Sequence, residues 1–377
     1  MADPWIEEHA AGLAARAERD LEALVAISSP SGDAGAAEEV IAVATALAPD
    51  DAEVSRVPCS SNEHAADLVL RVTGAGSRRL LLVGHLDTVV AHDAHVAPHR
   101  IGERMRGSGT IDMKAGVALS LGLLRALSGH PELGEAALLL VNDEEWRTEP
   151  FTHVPRFEGF DACLCFEAGE HDPDGQDAVV VRRKAAGSIR VAAHGRAAHS
   201  GSAPDKGINA LLALADVASL VAACHAPAGP SRLTAVPTIL NSGTALNVVP
   251  AHGELVCDVR ADDLAALRGV LAVIPDEVRG ARIDAQMQRE WPGMDAIAAS
   301  APVLAAATAA LGRPVVAAQR GGASDASHFA ATIPVTIDGL GARGGHAHHP
   351  DEFVDLRSLR PRAEVALAVA RAVLMDT

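Results

Sequence analysis

Along this chain, short apolar runs lead directly into an acid or a histidine. Leu80-Leu-Leu-Val-Gly84 runs into His85-Leu-Asp87, the apolar stretch 136–141 into Asn142-Asp143-Glu144-Glu145, and 162–166 into Glu167. The run 79–84 is apolar between Arg79 and Gly84, as a strand buried on both faces of a parallel-type sheet must be. Segments of helical period, 114–127 among them, lie between such runs. Strands alternating with helices of these lengths predict an α/β fold, with a mixed sheet flanked by helices.

At 377 residues the chain exceeds the size at which single cores stop growing, which predicts two domains. Helices are expected over 5–26, 34–47 and 114–127, and strands over 66–72, 79–84, 136–141 and 162–166. Around Arg182-Arg183-Lys184 the pattern changes. Strand 188–193, helix 207–222, strands 234–241 and 252–260, helix 262–273 and strand 281–288 follow in the split βαβ order of a ferredoxin-like α+β module. The first pattern then resumes, with helix 301–311, strands 315–318 and 335–338, and helix 358–375. The expected division is 1–185 and 293–377 for the larger domain, with 186–292 inserted as the smaller one.

Composition removes several functions. A net charge of −17 argues against nucleic acid, whose phosphates require a basic face. No stretch approaches the length of a membrane span, and the first nine residues lack the basic and apolar regions of a secretory leader. Five dispersed cysteines suggest reduced thiols and a cytoplasmic protein. With no tyrosine and 6 Phe, the core is built from Ala, Val, Leu and Ile, and tyrosine acid–base chemistry is excluded.

Metal sites need ligands on rigid elements, and strand ends supply them. In extended geometry Asp87 projects to the same side as His85, where a carboxylate can accept the second ring N–H of a metal-bound imidazole. The segment from Gly107 to Asp112 superficially resembles a dinucleotide loop, but its sixth position is Asp and it does not open a βαβ unit. Asp112 is either a ligand or the N-cap of the helix that follows it. The triplet Asp143-Glu144-Glu145 is either a solvated loop or a set of acids whose mutual repulsion cations neutralise. His348 sits in a Gly- and His-rich loop before Pro350-Asp351-Glu352, flanked by His346 and His349. His92, His95 and His99 are interrupted by Pro98. Ser324, Asp325 and His328 imitate the composition of a triad but lie too close in sequence, with no nucleophile elbow.

Taken together, His85-Leu-Asp87-Thr-Val89, Gly107-x-Gly-x-x-Asp112-Met-Lys114, Asp143-Glu144-Glu145 and His348-His-Pro-Asp-Glu352-Phe-Val354 closely resemble the M20 metallopeptidases over nearly the whole chain. Asn247-Val-Val-Pro250, Asp258-Val-Arg260 and Gly321-Gly322-Ala-Ser-Asp325-Ala326 look most like that family's glutamate carboxypeptidase branch. The resemblance implies two Zn2+ ions, with Co2+ or Mn2+ as substitutes, bridged by Asp112. His85 and Glu167 would complete one site, Glu145 and His348 the other. It further implies hydrolysis by a hydroxide shared between the metals, with Glu144 as general base and Asp87 orienting His85. The inserted domain resembles the family's dimerisation lid. In Gly195-Arg-Ala-Ala-His199-Ser-Gly201, His199 would reach the partner subunit's site of a homodimer and stabilise the oxyanion. Asn247, Arg260 and Gly322 resemble residues that hold substrate.

The implied reaction is amide hydrolysis that releases an amino acid with a free α-carboxylate, carboxypeptidase-like on acyl- or peptidyl-glutamate. The alternatives are deacylation of an N-acyl amino acid, as by an aminoacylase or acetylornithine deacetylase, a dipeptidase activity, or an inactive descendant that only binds amino acids. One departure stands out. Where the family has a Gly/Ser-rich turn into a helix, this chain has Trp146-Arg-Thr-Glu-Pro150 and then Pro155, so that helix should be shortened or lost.

Overall fold

A computed structural model describes residues 3–375; the outermost residues of the predicted ranges 1–185 and 293–377 lie outside it. The chain divides into two compact units. One comprises the residues up to Arg182, Asp295–Gln319 and those from Ser324 on; the other comprises Arg183–Met294 and Arg320–Ala323.

The first unit begins with α1 (Pro4–Val25), α2 (Ala34–Ala46), β1 (Glu53–Val57), β2 (Asp67–Thr73), β3 (Arg78–His85), α3 (Ala115–Leu127), β4 (Leu133–Val141) and β5 (Ala162–Cys165). Local chemistry sets the starts of its helices. Asp3 caps α1 by accepting the Trp5 N–H at 3.0 Å, and Asp33 caps α2 through the Ala36 N–H at 3.0 Å. Leu80, Leu81, Leu82 and Val83 are wholly buried, as is nearly every residue of α3, a helix apolar on all sides that lies inside the unit.

The second unit holds β6 (Ala185–His194), α4 (Ala210–Ala223), β7 (Thr234–Ser242), β8 (His252–Ala261), α5 (Leu264–Ala272) and β9 (Ala281–Trp291). Its strands run in the order β7-β8-β6-β9, each antiparallel to its neighbour, with both helices packed against them: a ferredoxin-like module with a core of its own.

The chain then adds α6 (Ile297–Leu311), β10 (Val335–Ile337) and α7 (Leu359–Leu374) to the first unit. The sheet order there is β1-β2-β4-β3-β5-β10, parallel from β4 to β10 and antiparallel at the β1 side. Strands absent from the sequence reading include β1, the hairpin His99–Ile101 with Arg104–Arg106, Asp177–Arg183 and Phe353–Asp355. Phe353–Asp355 pairs with Arg104–Arg106, which sets residue 352 beside Gly107. Between β4 and β5 the only helical turn is Val154–Phe157, of 3-10 type, so the helix expected to be shortened or lost is absent. Among the described residues no helix is long and apolar enough to cross a membrane.

Candidate metal centre

Parallel pairing brings three of the acid-bearing termini to one edge. His85, the last residue of β3, is in register with Val141 of β4, and Val83 with Cys165 of β5. Glu144, Glu145 and Glu167 lie just beyond those paired positions. Asp112 comes from the loop before α3, which packs tightly on the exit of β5: a Cβ on Gly116 would lie 1.9 Å from Phe166 O. Gly109 takes φ +76°, a conformation that glycine adopts without steric cost, and the Asp112–Met113 peptide is cis.

The loop is held from below by a residue whose role the sequence did not disclose. Buried Glu352 accepts the N–H groups of Gly109 at 2.9 Å, Ile111 at 2.8 Å and Asp112 at 3.1 Å. The resemblance of the His348–Val354 segment to a family motif was the only clue, because the partners of Glu352 lie some 240 positions away. Glu352→Gln replaces one accepting oxygen with a donor facing backbone donors. Zinc affinity, measured against a competing chelator in a variant of unchanged circular dichroism, is expected to fall about 10–100-fold.

Two donor groups share Asp112. His85, Asp112 and Glu167 offer ligand atoms within 4.8 Å of one another, and so do Asp112, Glu145 and His348. His85 Nε2 is 3.1 Å from Asp112 Oδ1 and 3.9 Å from Glu167 Oε1. His348 Nε2 is 3.1 Å from Asp112 Oδ2 and 3.2 Å from Glu145 Oε2. His346 and His349 face each other and are in neither group. His85 Nδ1 lies 3.0 Å from the carbonyl oxygen of Asp87, which only accepts, so Nδ1 carries the hydrogen. In the neutral ring, Nε2 then presents a lone pair to carboxylate oxygens, an arrangement that needs a cation between them.

The electrostatics agree. Burial, with Asp112 adding to it, pushes Glu167 well above the usual carboxylate range, and burial also raises Glu145. Burial pushes Glu144 up to about 8 against the pull of His85, with Asp325, Glu145 and Asp112 adding to the rise. Asp112 is held low despite its burial, by His348 and His85. His348 is pushed up to about 10 by Asp112 and Glu145, so a proton is held where a cation fits. Glu145 Oε1 is buried with no hydrogen-bond partner among the described residues. Divalent cations would favour the ionised form of every carboxylate here and give that oxygen a partner. The residues fit a metal centre.

The other predicted residues distribute as follows. Buried Asp87 lies 3.3 Å from His85 Nδ1 through Oδ1 and also accepts the N–H groups of Glu144 at 3.3 Å and Glu145 at 3.1 Å, so it orients the acidic turn as well as the imidazole. His199 and Asn247 are exposed on the second unit, where the Ser200 N–H donates to Asn247 O at 3.0 Å. Arg260 is engaged by Asp258 at 3.0 and 3.3 Å and donates to Gly321 O at 3.1 Å, while Gly322 O accepts from Arg183 at 2.9 Å. No triad forms: Ser324 donates to Asp338 at 2.5 Å, Asp325 pairs with Arg147, and His328 stacks on Phe151. His92 pairs with Ser28 and Asp33, away from the metal donors.

Strand ends and the loops carrying Asp112 and His348 thus gather two donor groups around one aspartate, an arrangement suited to a metal-dependent enzyme. A family model described as peptidase family M20/M25/M40 matches residues 81–372, and the chain belongs to that family. It is 27% identical over 382 residues to carboxypeptidase G2 of Pseudomonas sp. (strain RS-16), covering 95% of this chain and 88% of that protein. To the succinyl-diaminopimelate desuccinylase of Rhodospirillum centenum it is 30% identical over 355 residues, covering 87% and 89%. The fold matches a tripeptidase from Staphylococcus aureus with TM-score 0.76 at 20% identity, covering 96% of this chain and 99% of that one. It also matches an M20 family metallo-carboxypeptidase from Sulfolobus solfataricus, with TM-score 0.73 at 12% identity over 95% and 99%.

Proposed function

We propose that this hydrolase is a dizinc carboxypeptidase-like enzyme that cleaves acyl- or peptidyl-glutamate and releases the amino acid with its α-carboxylate free. The observation that carries the reading is Asp112 standing between two donor groups with Glu144 on the adjoining turn. His85, Asp112 and Glu167 would hold one ion, and Asp112, Glu145 and His348 the other. When bound, such ions supply Lewis acidity and lower the pKa of water toward ~7. Glu144 takes the proton of the attacking water and passes it to the leaving amine. Asp87 keeps the His85 ring and the Glu144–Glu145 backbone in place. Asn247, Arg260 and Gly322 are assigned to the substrate, a fork such as Arg260 suiting a carboxylate. Likeness to carboxypeptidase G2 over 95% of the chain supports a carboxypeptidase-like activity.

A second reading, deacylation of an N-acyl amino acid, is favoured by the 30% identity to a desuccinylase. Incubating the zinc-loaded protein with a panel of N-acyl amino acids and dipeptides separates the two. Preference for glutamate on the amine side supports the first, and preference set by the acyl group supports the second.

His199 is assigned to the oxyanion of a partner subunit in a homodimer built through the second unit. Mixing His199→Ala with Glu144→Gln protein should then restore part of the activity that each lacks alone, since one site per mixed dimer regains both groups. Removing one oxyanion donor costs about 10²–10³ in rate. No recovery in the mixture places His199 outside the partner's site.

A further inference from the structure

The segment that replaces the expected Gly/Ser-rich turn after Glu145 is anchored inside the first unit. Trp146 is 61% exposed, but Arg147 next to it is fully buried between two buried carboxylates. Its Nη1 donates to Asp143 Oδ1 at 2.6 Å, and its Nη2 donates to Asp325 Oδ1. Its backbone N–H donates to Asp143 O at 2.9 Å, closing the turn. The Phe151 ring covers the guanidinium at 4.7 Å and stacks on His328 at 4.5 Å. The second oxygen of Asp143 accepts the Ser61 N–H at 3.0 Å. The residue before Glu144 is thereby fixed on several sides.

Burying an ion pair is expensive, and an apolar plug of similar volume often stabilises a fold as well or better. A plug would not fix a direction. A guanidinium fork does, because its donors have set geometry. Here it ties the Asp143–Glu145 turn to the loop carrying Asp325, while Asp87 holds the Glu144 and Glu145 N–H groups at 3.3 and 3.1 Å. The turn is gripped at Asp143 by a cation and at Glu144 and Glu145 by an anion.

We propose that Arg147 is a positioning residue, clamping Asp143 to Asp325 so that the Glu144 carboxylate keeps its aim at the metal donors. The proposal rests on the reading of Glu144 as general base.

The test compares the wild-type holoenzyme, loaded with zinc, with Arg147→Lys, Arg147→Met, Asp325→Asn and Glu144→Gln. Kinetic constants are measured with N-acetyl-glutamate, and amide hydrogen exchange is followed across residues 142–148. Lysine keeps the charge but loses the fork. In Arg147→Lys kcat should fall about 10²-fold, the loss expected for a misplacement of about 1 Å, with KM within about threefold and zinc stoichiometry unchanged. Exchange across 142–148 should quicken at least about tenfold. Asp325→Asn should reproduce these effects, and the double variant Arg147→Lys/Asp325→Asn should add little, because the two act as one unit. If Arg147→Met does not fold, the neutral cluster Asp143→Asn/Arg147→Met/Asp325→Asn replaces it and should fold with the same kcat deficit. A kcat within twofold of wild type per folded, zinc-loaded molecule overturns the clamp, as does unchanged exchange across 142–148. Glu144→Gln at the wild-type rate overturns the general-base reading and the clamp with it. An inactive Glu144→Gln beside a fully active Arg147→Lys overturns the clamp alone.

Discussion

Replacing Glu144 with glutamine is expected to lower kcat by about 10²–10⁴-fold while the protein keeps its full complement of zinc. Glutamine matches the shape of the side chain and leaves the backbone N–H on Asp87 untouched. Glu144 belongs to neither donor group, so metal content should not change. What the variant loses is an oxygen able to take a proton. The proton affinity of that oxygen is tuned by its surroundings: burial pushes Glu144 up to about 8, assisted by Asp325, Glu145 and Asp112, and opposed by His85. Bound cations shift the same carboxyl back toward ionisation, the form a base requires. Metal analysis alongside steady-state kinetics on the best substrate of the panel gives the answer. A variant with unchanged zinc and unchanged kcat takes Glu144 out of the proton path. The same pair of measurements separates an enzyme from a descendant that only binds amino acids, since the wild type of such a descendant would load metal and turn nothing over.

What the sequence disclosed and what it hid follow a physical division. Runs such as 79–84 and 162–166 were legible as buried strands because they are apolar without interruption, and the acids at their ends stood out against them. The ferredoxin-like order was legible because its strands alternate between buried and half-buried positions, as Ala185–His194 does. The hairpin His99–Ile101 with Arg104–Arg106 was not, since it is short, charged and largely exposed, with no periodic pattern to read. Roles created by contacts between distant positions were equally hidden. Glu352 becomes a support only when three backbone N–H groups about 240 residues earlier converge on it. Asp143, one of three adjacent acids, escapes their mutual repulsion by turning to Arg147, which in turn reaches Asp325, 178 residues away. The sequence showed an anomaly at Trp146–Pro150; only the fold shows that it ends in a buried guanidinium.

The second large effect is expected at Asp112. Asparagine preserves the side-chain outline and one oxygen but removes the charge that both donor groups share. Each group is then left with two strong donors, His85 with Glu167 and Glu145 with His348, and the carboxylates facing the cations drop from three to two. One of the two imidazoles also loses the carboxylate oxygen that lies 3.1 Å from its Nε2. On the dizinc reading, zinc per subunit should fall below two and hydrolysis should fall by more than about 10⁴-fold, because losing the metals would remove water activation together with the step assigned to Glu144. Thermal melting supplies the control. Zinc should raise the melting temperature of the wild type, as a ligand that binds only the folded state must, and the rise should largely vanish in Asp112→Asn. If the variant retains two zinc ions and the full zinc-dependent rise, Asp112 does not bridge the donor groups, and the dinuclear assignment fails with it.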